Sequence, residues 1–251
     1  MSYLDLYRKR LNRYGLDFQS RLQGQREKEF EHYLLKSVYR TDIEYDGNLI
    51  PVTFEKYRQD DTRTLHYLLT RTSVKIPAGT ILMIPDIEED EEGETFGGRP
   101  EGHTPWMVYY LEHIKASGYN RYIMLRMSHY LSWISRDKKV RYSWAYLFGQ
   151  KNNMLKDEIR SRSRSDAVYS ENMKLNFFIL PRNEHLKKDD YLIVGEKPFQ
   201  EYYRVTGYDI QSTEGVAYVS VDPIYEYDLT EPPQREEGDD EEDFFWIEGG
   251  N

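Results

Sequence analysis

The sequence contains no cysteine, so disulfides, thiolate metal sites and cysteine nucleophiles are excluded together. It also lacks any run of about 18 apolar residues, the length a membrane-spanning helix requires. The opening MSYLDLYRKRLNRYG has no apolar stretch of the kind that directs secretion, and no N-x-S/T sequon occurs. The expectation is a protein made in a reducing cytoplasm with no membrane contact. Missing too are G-x-S-x-G, G-x-x-x-x-G-K-S/T and a strand-linked G-x-G-x-x-G, the usual signatures of serine esterases, nucleotide hydrolases and dinucleotide enzymes. The six histidines (His32, His66, His103, His113, His129, His185) form no H-x-x-x-H or related pair, and convergent ligands are what a metal site needs. The acids from Glu88 to Glu94 miss the D-x-D-x-D-G spacing of a calcium loop. No catalytic residue, cofactor or metal site is therefore expected, and the chain reads as a non-enzyme.

Aromatic residues, by contrast, are plentiful. They make up 15% of 251 residues, and 23 of them are tyrosine. A tyrosine buries an apolar ring while its hydroxyl keeps a polar partner, which suits thin β-layers and protein interfaces. The net charge of -10 is unevenly placed. Asp86 to Glu94 holds seven acids and no base, and Glu231 to Glu248 holds nine acids and one base. Setting aside those net charges of -7 and -8 leaves the remainder at +5. Between Arg121 and Arg164 eleven Lys and Arg face three acids. Such asymmetry favours docking against charged neighbours, copies of the same chain included.

Leu4, Tyr7, Leu11, Tyr14 and Phe18 recur at steps of three and four, predicting an amphipathic helix that Gly15 interrupts, and a second helix follows from about Leu22 to Lys36. The apolar seam is narrow, as befits a helix resting on one neighbouring surface. After Ser37 the pattern turns to β. Asp46-Gly47 between β-forming runs predicts a hairpin with strands near 38–45 and 49–57. Pro77-Ala78-Gly79 predicts another, joining LHYLLTRTSVKI to TILMI. Residues 86–104 are too acidic and glycine-rich to enter a core. WMVYYLEHI, YNRYIMLRMSHYLSWI and KVRYSWAYLFG read as three further strands, and LNFFILP, DDYLIVG, EYYRVTGYDI and VAYVSVDPIYEYD as four more at barrel-like spacing.

The predicted fold class is mainly β, with two small barrel or sandwich modules, an N-terminal helical segment and an acidic C-terminal arm. Its divisions are a helical segment 1–36, a first β module 37–149 with its acidic loop 86–104, a basic linker or arm 150–174, a second barrel-like module 175–229 and the acidic arm 230–251.

Arg160, Arg162 and Arg164 alternate with serine and are expected to grip an acidic protein surface; contact with phosphates stays open and would be sequence-blind. Phe244, Phe245 and Trp246 end an acidic tether in the manner of a docking peptide. Arg136, Lys138, Lys139 and Arg141 are candidate channel or ring contacts. Trp106, Trp133 and Trp144 with nearby tyrosines suit either core packing or a saccharide platform.

Three stretches carry a family likeness: SWAYLFGQKNNMLKDEIRSRSRSDAVYSENMKL, LNFFILPRNEHLKKDDYLIVG and YYRVTGYDIQSTEGVAYVSVDPIYEYDL. They resemble structural proteins of the head-to-tail connector of tailed bacteriophages, of the head-closure (stopper) or adaptor type. The likeness covers about the last 100 residues of the fold; the helices and first β module are additions to the short stopper pattern. It implies a virion protein at the head-tail junction, made in the host cytoplasm, that joins portal to tail and retains packaged DNA. Its implied partners are copies of itself in a ring of twelve or six, the portal and tail proteins, and DNA without sequence preference. A tail or baseplate protein binding host saccharide is the alternative, and a hydrolase built on two converging carboxylates is a third reading.

Overall fold

The computed structural model describes residues 3–11, 18–57, 64–86, 102–112, 114, 117–135, 138–148, 177–183, 185–195, 200–210 and 214–225. Within them the chain is mainly β, with two six-stranded barrel-like sheets and two N-terminal helices. The arm 230–251, the linker 150–174 and most of the acidic loop 86–104 lie outside the described residues.

The helices are α1 (Tyr3–Leu11) and α2 (Phe18–Lys36). The first sheet holds β1 (Arg40–Tyr45), β2 (Asn48–Lys56), β3 (Leu65–Arg71), β4 (Ile81–Pro85), β5 (His103–Glu112) and β6 (Tyr119–Arg126) in the order β1-β2-β3-β6-β5-β4. All its pairings are antiparallel, and the edge strands β1 and β4 curl towards one another. Its concave face encloses a core that includes Ile43, Val52, Phe54, Leu68, Trp106 and Met124. The second sheet is a closed barrel, β10-β11-β12-β9-β8-β7, made of β7 (His129–Ile134), β8 (Val140–Phe148), β9 (Phe177–Pro181), β10 (Tyr191–Val194), β11 (Glu201–Asp209) and β12 (Val216–Ile224). Trp133, Phe178, Leu192, Val205 and Val219 are fully buried in its core cluster, in keeping with small barrels being filled by side chains.

The β1–β2 hairpin forms where Asp46-Gly47 predicts it, both residues at positive φ (53° and 68°). The second expected hairpin does not form. The turn at Pro77-Ala78-Gly79 is present, but β3 pairs with β2 and β6 while β4 pairs with β5. The boundary between the sheets also falls upstream of residue 149. The run YNRYIMLRMSHYLSWI is two strands, not one: Met127 N donates to Pro105 O in the first sheet (3.0 Å) and Ser128 N to Ala145 O in the barrel (3.0 Å). The chain changes sheet within two residues, so β7 and β8 belong with β9 to β12.

The convex face of the first sheet supports two neighbours. Leu69, near one end of β3, meets Phe30 and Leu34 of α2. Leu65, at the other end, joins Met107, Tyr109 and Leu125 against Phe148, Phe177, Ile179, Val216 and Tyr218 of the barrel. A bulge in β5 between Val108 and Tyr110 adds Tyr109 to this interface. There the hydroxyls of Tyr109 and Tyr218 lie 2.6 Å apart, buried between the sheets.

Beside that contact the two backbones touch. A Cβ on Gly79 (φ +86°) would fall 2.0 Å from the Gly215 carbonyl oxygen, and one on Gly215 (φ +75°) would fall 2.0 Å from the Ala78 carbonyl oxygen. Only glycine at both places combines the left-handed backbone with so close an approach.

Candidate functional site

Of the residues singled out from sequence, Arg160, Arg162, Arg164, Phe244, Phe245, Trp246 and Arg136 lie outside the described residues. Lys138 and Lys139 are exposed at the β7–β8 turn. Lys138 takes a positive φ of 63°, its N–H donates to Ser135 O (2.8 Å), and Ser135 N returns a bond to Lys139 O (2.9 Å). Arg141 is placed differently from its neighbours. It stands directly across from Trp133, which is fully buried, and the alternation of a strand puts both on one face, so its Nε is buried as well. That side chain is thus only half available to a channel or an adjoining ring.

On the opposite face of the same hairpin the rings of Tyr130 and Tyr142 lie nearly parallel (5.6 Å between centroids, 9°), with Trp144 5.0 Å from Tyr130. Tyr142 is exposed and Trp144 leans on the inter-barrel core. Trp106 and Trp133 are both core residues, which removes them from any platform.

A polar group that sequence reading missed sits at one end of the barrel. Ser128 Oγ and His129 Nδ1 are 2.6 Å apart, and the His129 ring lies edge-on to Phe178 (6.1 Å). Phe178 in turn meets Tyr203 (5.4 Å), whose hydroxyl donates to Glu201 Oε2 (2.6 Å). Burial holds the His129 pKa below its ordinary value of 6.5, with the Glu201 charge acting weakly the other way. Burial, and next the bond to Glu201, push Tyr203 upward. No spacing in the sequence signals this group, because β7, β9 and β11, distant in sequence, bring it together.

Among the described residues, α1 carries a run of exposed apolar side chains. Tyr3, Leu4, Leu6 and Tyr7 of α1 are 81%, 61%, 48% and 53% exposed. The 3-4 spacing of Leu4 and Tyr7 predicts a seam resting on a neighbouring surface, yet within one chain that seam stays in water. α2 behaves oppositely. Glu31 takes two bonds from Arg71 (2.5 and 3.0 Å), which lower its pKa, Glu27 takes one from Thr72 (3.0 Å), and Tyr33 donates to Glu55 (2.6 Å). A Cβ on Gly118 would lie 2.2 Å from the Arg26 carbonyl carbon, so α2 rests directly on the turn before β6.

No protein-family model and no curated protein matches this chain. Among solved structures, K. pneumonia MrkH in complex with c-di-GMP shares 9% identity, covering 81% of this chain and 87% of its own, at a TM-score of 0.22. MrkH in its apo state shares 10% over 81% and 85%, at the same TM-score. A TM-score that low speaks to neither the fold nor the ligands of the present chain. Among the described residues no helix is long and apolar enough to cross a membrane, and no three His, Asp or Glu converge as metal ligands.

Proposed function

We propose that this chain is a structural protein of a tailed-bacteriophage head-to-tail connector, a head-closure or adaptor component that assembles as a ring of twelve or six between portal and tail and helps retain DNA. The observation that carries this reading is the exposed face of α1, four large apolar side chains within five residues that a lone chain leaves in water. Two further features agree with it. The strands within the three stretches that resemble connector proteins fold as β8 to β12, neighbours in one closed barrel. The exposed Lys138 and Lys139 give that barrel a basic tip suited to an acidic neighbour or to DNA phosphates. Native mass spectrometry of the purified protein at rising concentration tests the reading. It expects a closed oligomer of six or twelve copies; a monomer throughout counts against it.

A second reading keeps the virion location and assigns the Tyr130, Tyr142 and Trp144 face to a host saccharide, because near-parallel exposed rings offer a sugar an apolar platform. Binding to a glycan array that is lost in Tyr142→Ala, with the fold intact, would favour it.

A further inference from the structure

The closed barrel has two outward flanks rich in aromatic and aliphatic side chains, and among the described residues only one of them is buried. On that flank Phe148, Phe177, Ile179 and Tyr218 meet the convex face of the first sheet. The other flank is formed by β8, β7 and β10, which are neighbours in the barrel. Leu131, Trp133 and Leu192 fill the core from these strands, so the residues that alternate with them point outward. Across the β7–β8 hairpin Tyr130 stands opposite Trp144, Ser132 opposite Tyr142 and Ile134 opposite Val140, and on its other side Ser132 stands opposite Ile193 of β10. All of these side chains are exposed or half-buried.

None of these outward positions is charged, although 31% of the chain is. Arg204, opposite Tyr191 at the margin, is held by Asp189 (2.6 Å). A strongly acidic or basic partner therefore finds no counter-charge on the face, and Ile134, Val140 and Ile193 offer a sugar's hydroxyls no hydrogen bond. The occupant that fits is equally uncharged. The face is also arranged to fit itself. The rings of Tyr130 and Trp144 lie at one end of the hairpin and the aliphatic Ile134 and Val140 at the other, with Ser132 and Tyr142 between them. Rotation about a two-fold axis through the middle sets the rings of each copy on the aliphatic pair of the other. Trp144 already packs against the cluster between the two sheets, so a contact here extends that buried core.

We infer that the outward face of β7, β8 and β10 is a two-fold interface with the same face of a second copy. Burial of the tyrosine and tryptophan rings supplies most of its energy, while the polar and charged margin stays in water. A contact between like surfaces closes on two copies. It is therefore independent of the ring reading above, in which unlike surfaces meet.

The test uses Ser132, at the middle of the face. In a symmetric pair Ser132→Lys or Ser132→Glu sets like charges against each other, whereas a mixture of the two proteins sets opposite charges there. Native mass spectrometry of the full chain, with the Ser132→Glu protein nitrogen-15-labelled, reads the pairs. Wild type should pair, alone or within larger assemblies of even number. Each variant by itself should pair about tenfold more weakly or worse, and the equimolar mixture should recover to within about threefold of wild type as pairs of one light and one heavy copy. Recovery on mixing separates a lost contact from a lost fold. Hydroxyl-radical footprinting of wild type supplies a second measurement that needs no variant: Tyr142 and Tyr191, 36% and 41% exposed in the single chain, should lose reactivity as the concentration rises. A wild type that stays monomeric, pairing that neither charge weakens, a mixture that does not recover or tyrosines of unchanged reactivity would overturn the inference. So would glycan binding by wild type that is lost in Ser132→Lys. If rings form and neither charge affects them, the ring reading stands and this contact alone is wrong.

Discussion

Gly79 and Gly215 hold a close backbone contact between the first sheet and the barrel, and their substitution separates packing from simple turn strain. Alanine at Gly79 must accept a left-handed φ and displace the Gly215 carbonyl, whereas alanine at Gly47 meets the same backbone strain with open space around it. Gly47→Ala should cost about 1 kcal/mol, the penalty of the left-handed region. Gly79→Ala should cost at least ~2 kcal/mol more, because backbone must shift. Urea unfolding of the two variants decides this, and equal losses would show that the barrels do not lean on each other there. His129 supplies a second residue-scale test. Its folded pKa lies below 6.5, so as pH falls through 6.5 the unfolded chain takes up a proton before the folded chain does, and stability drops. Above 6.5 both forms are neutral and the full stability is retained. Wild type should therefore lose stability between pH 7.5 and pH 5.5, and His129→Gln should lose less; identical pH profiles would remove His129 as a cause.

At the level of elements, the two helices differ in what holds them. Leu34 of α2 is 1% exposed and Leu35 beside it 66%, so Leu34→Ala should cost about 2–5 kcal/mol by opening a cavity while Leu35→Ser stays within about 0.5 kcal/mol. Thermal unfolding checks both, and a large effect at Leu35 would mean that its face of the helix is covered. The strands were legible where the cause is local. Asp46-Gly47 makes its turn because both central residues tolerate positive φ, and the period-2 pattern locates nearly every strand. Pairing was not legible. The Pro77-Ala78-Gly79 turn has the right chemistry, but Gly79 N donates to Val108 O (2.7 Å), so a residue 29 positions away decides which strand β4 joins. The crossing at Met127-Ser128 was hidden for a related reason: apolar residues continue through it, since Met127 is buried between the sheets and nothing interrupts the pattern. The Ser128, His129, Glu201 and Tyr203 group was equally invisible, as barrel closure alone assembles it.

For the whole molecule, the two sheets share one buried cluster and a direct backbone contact, so the body offers its neighbours a fixed arrangement of surfaces. The basic β7–β8 tip is a surface of that body; on the reading proposed here it serves an adjoining ring, and the exposed α1 face serves a neighbouring subunit. The most direct measurement is electron microscopy of the purified protein mixed with an isolated portal ring. The account predicts an added ring of density on the portal, with six or twelve repeats, that is lost when Tyr3, Leu4, Leu6 and Tyr7 are all changed to serine. A portal that stays bare beside intact, folded protein would contradict it.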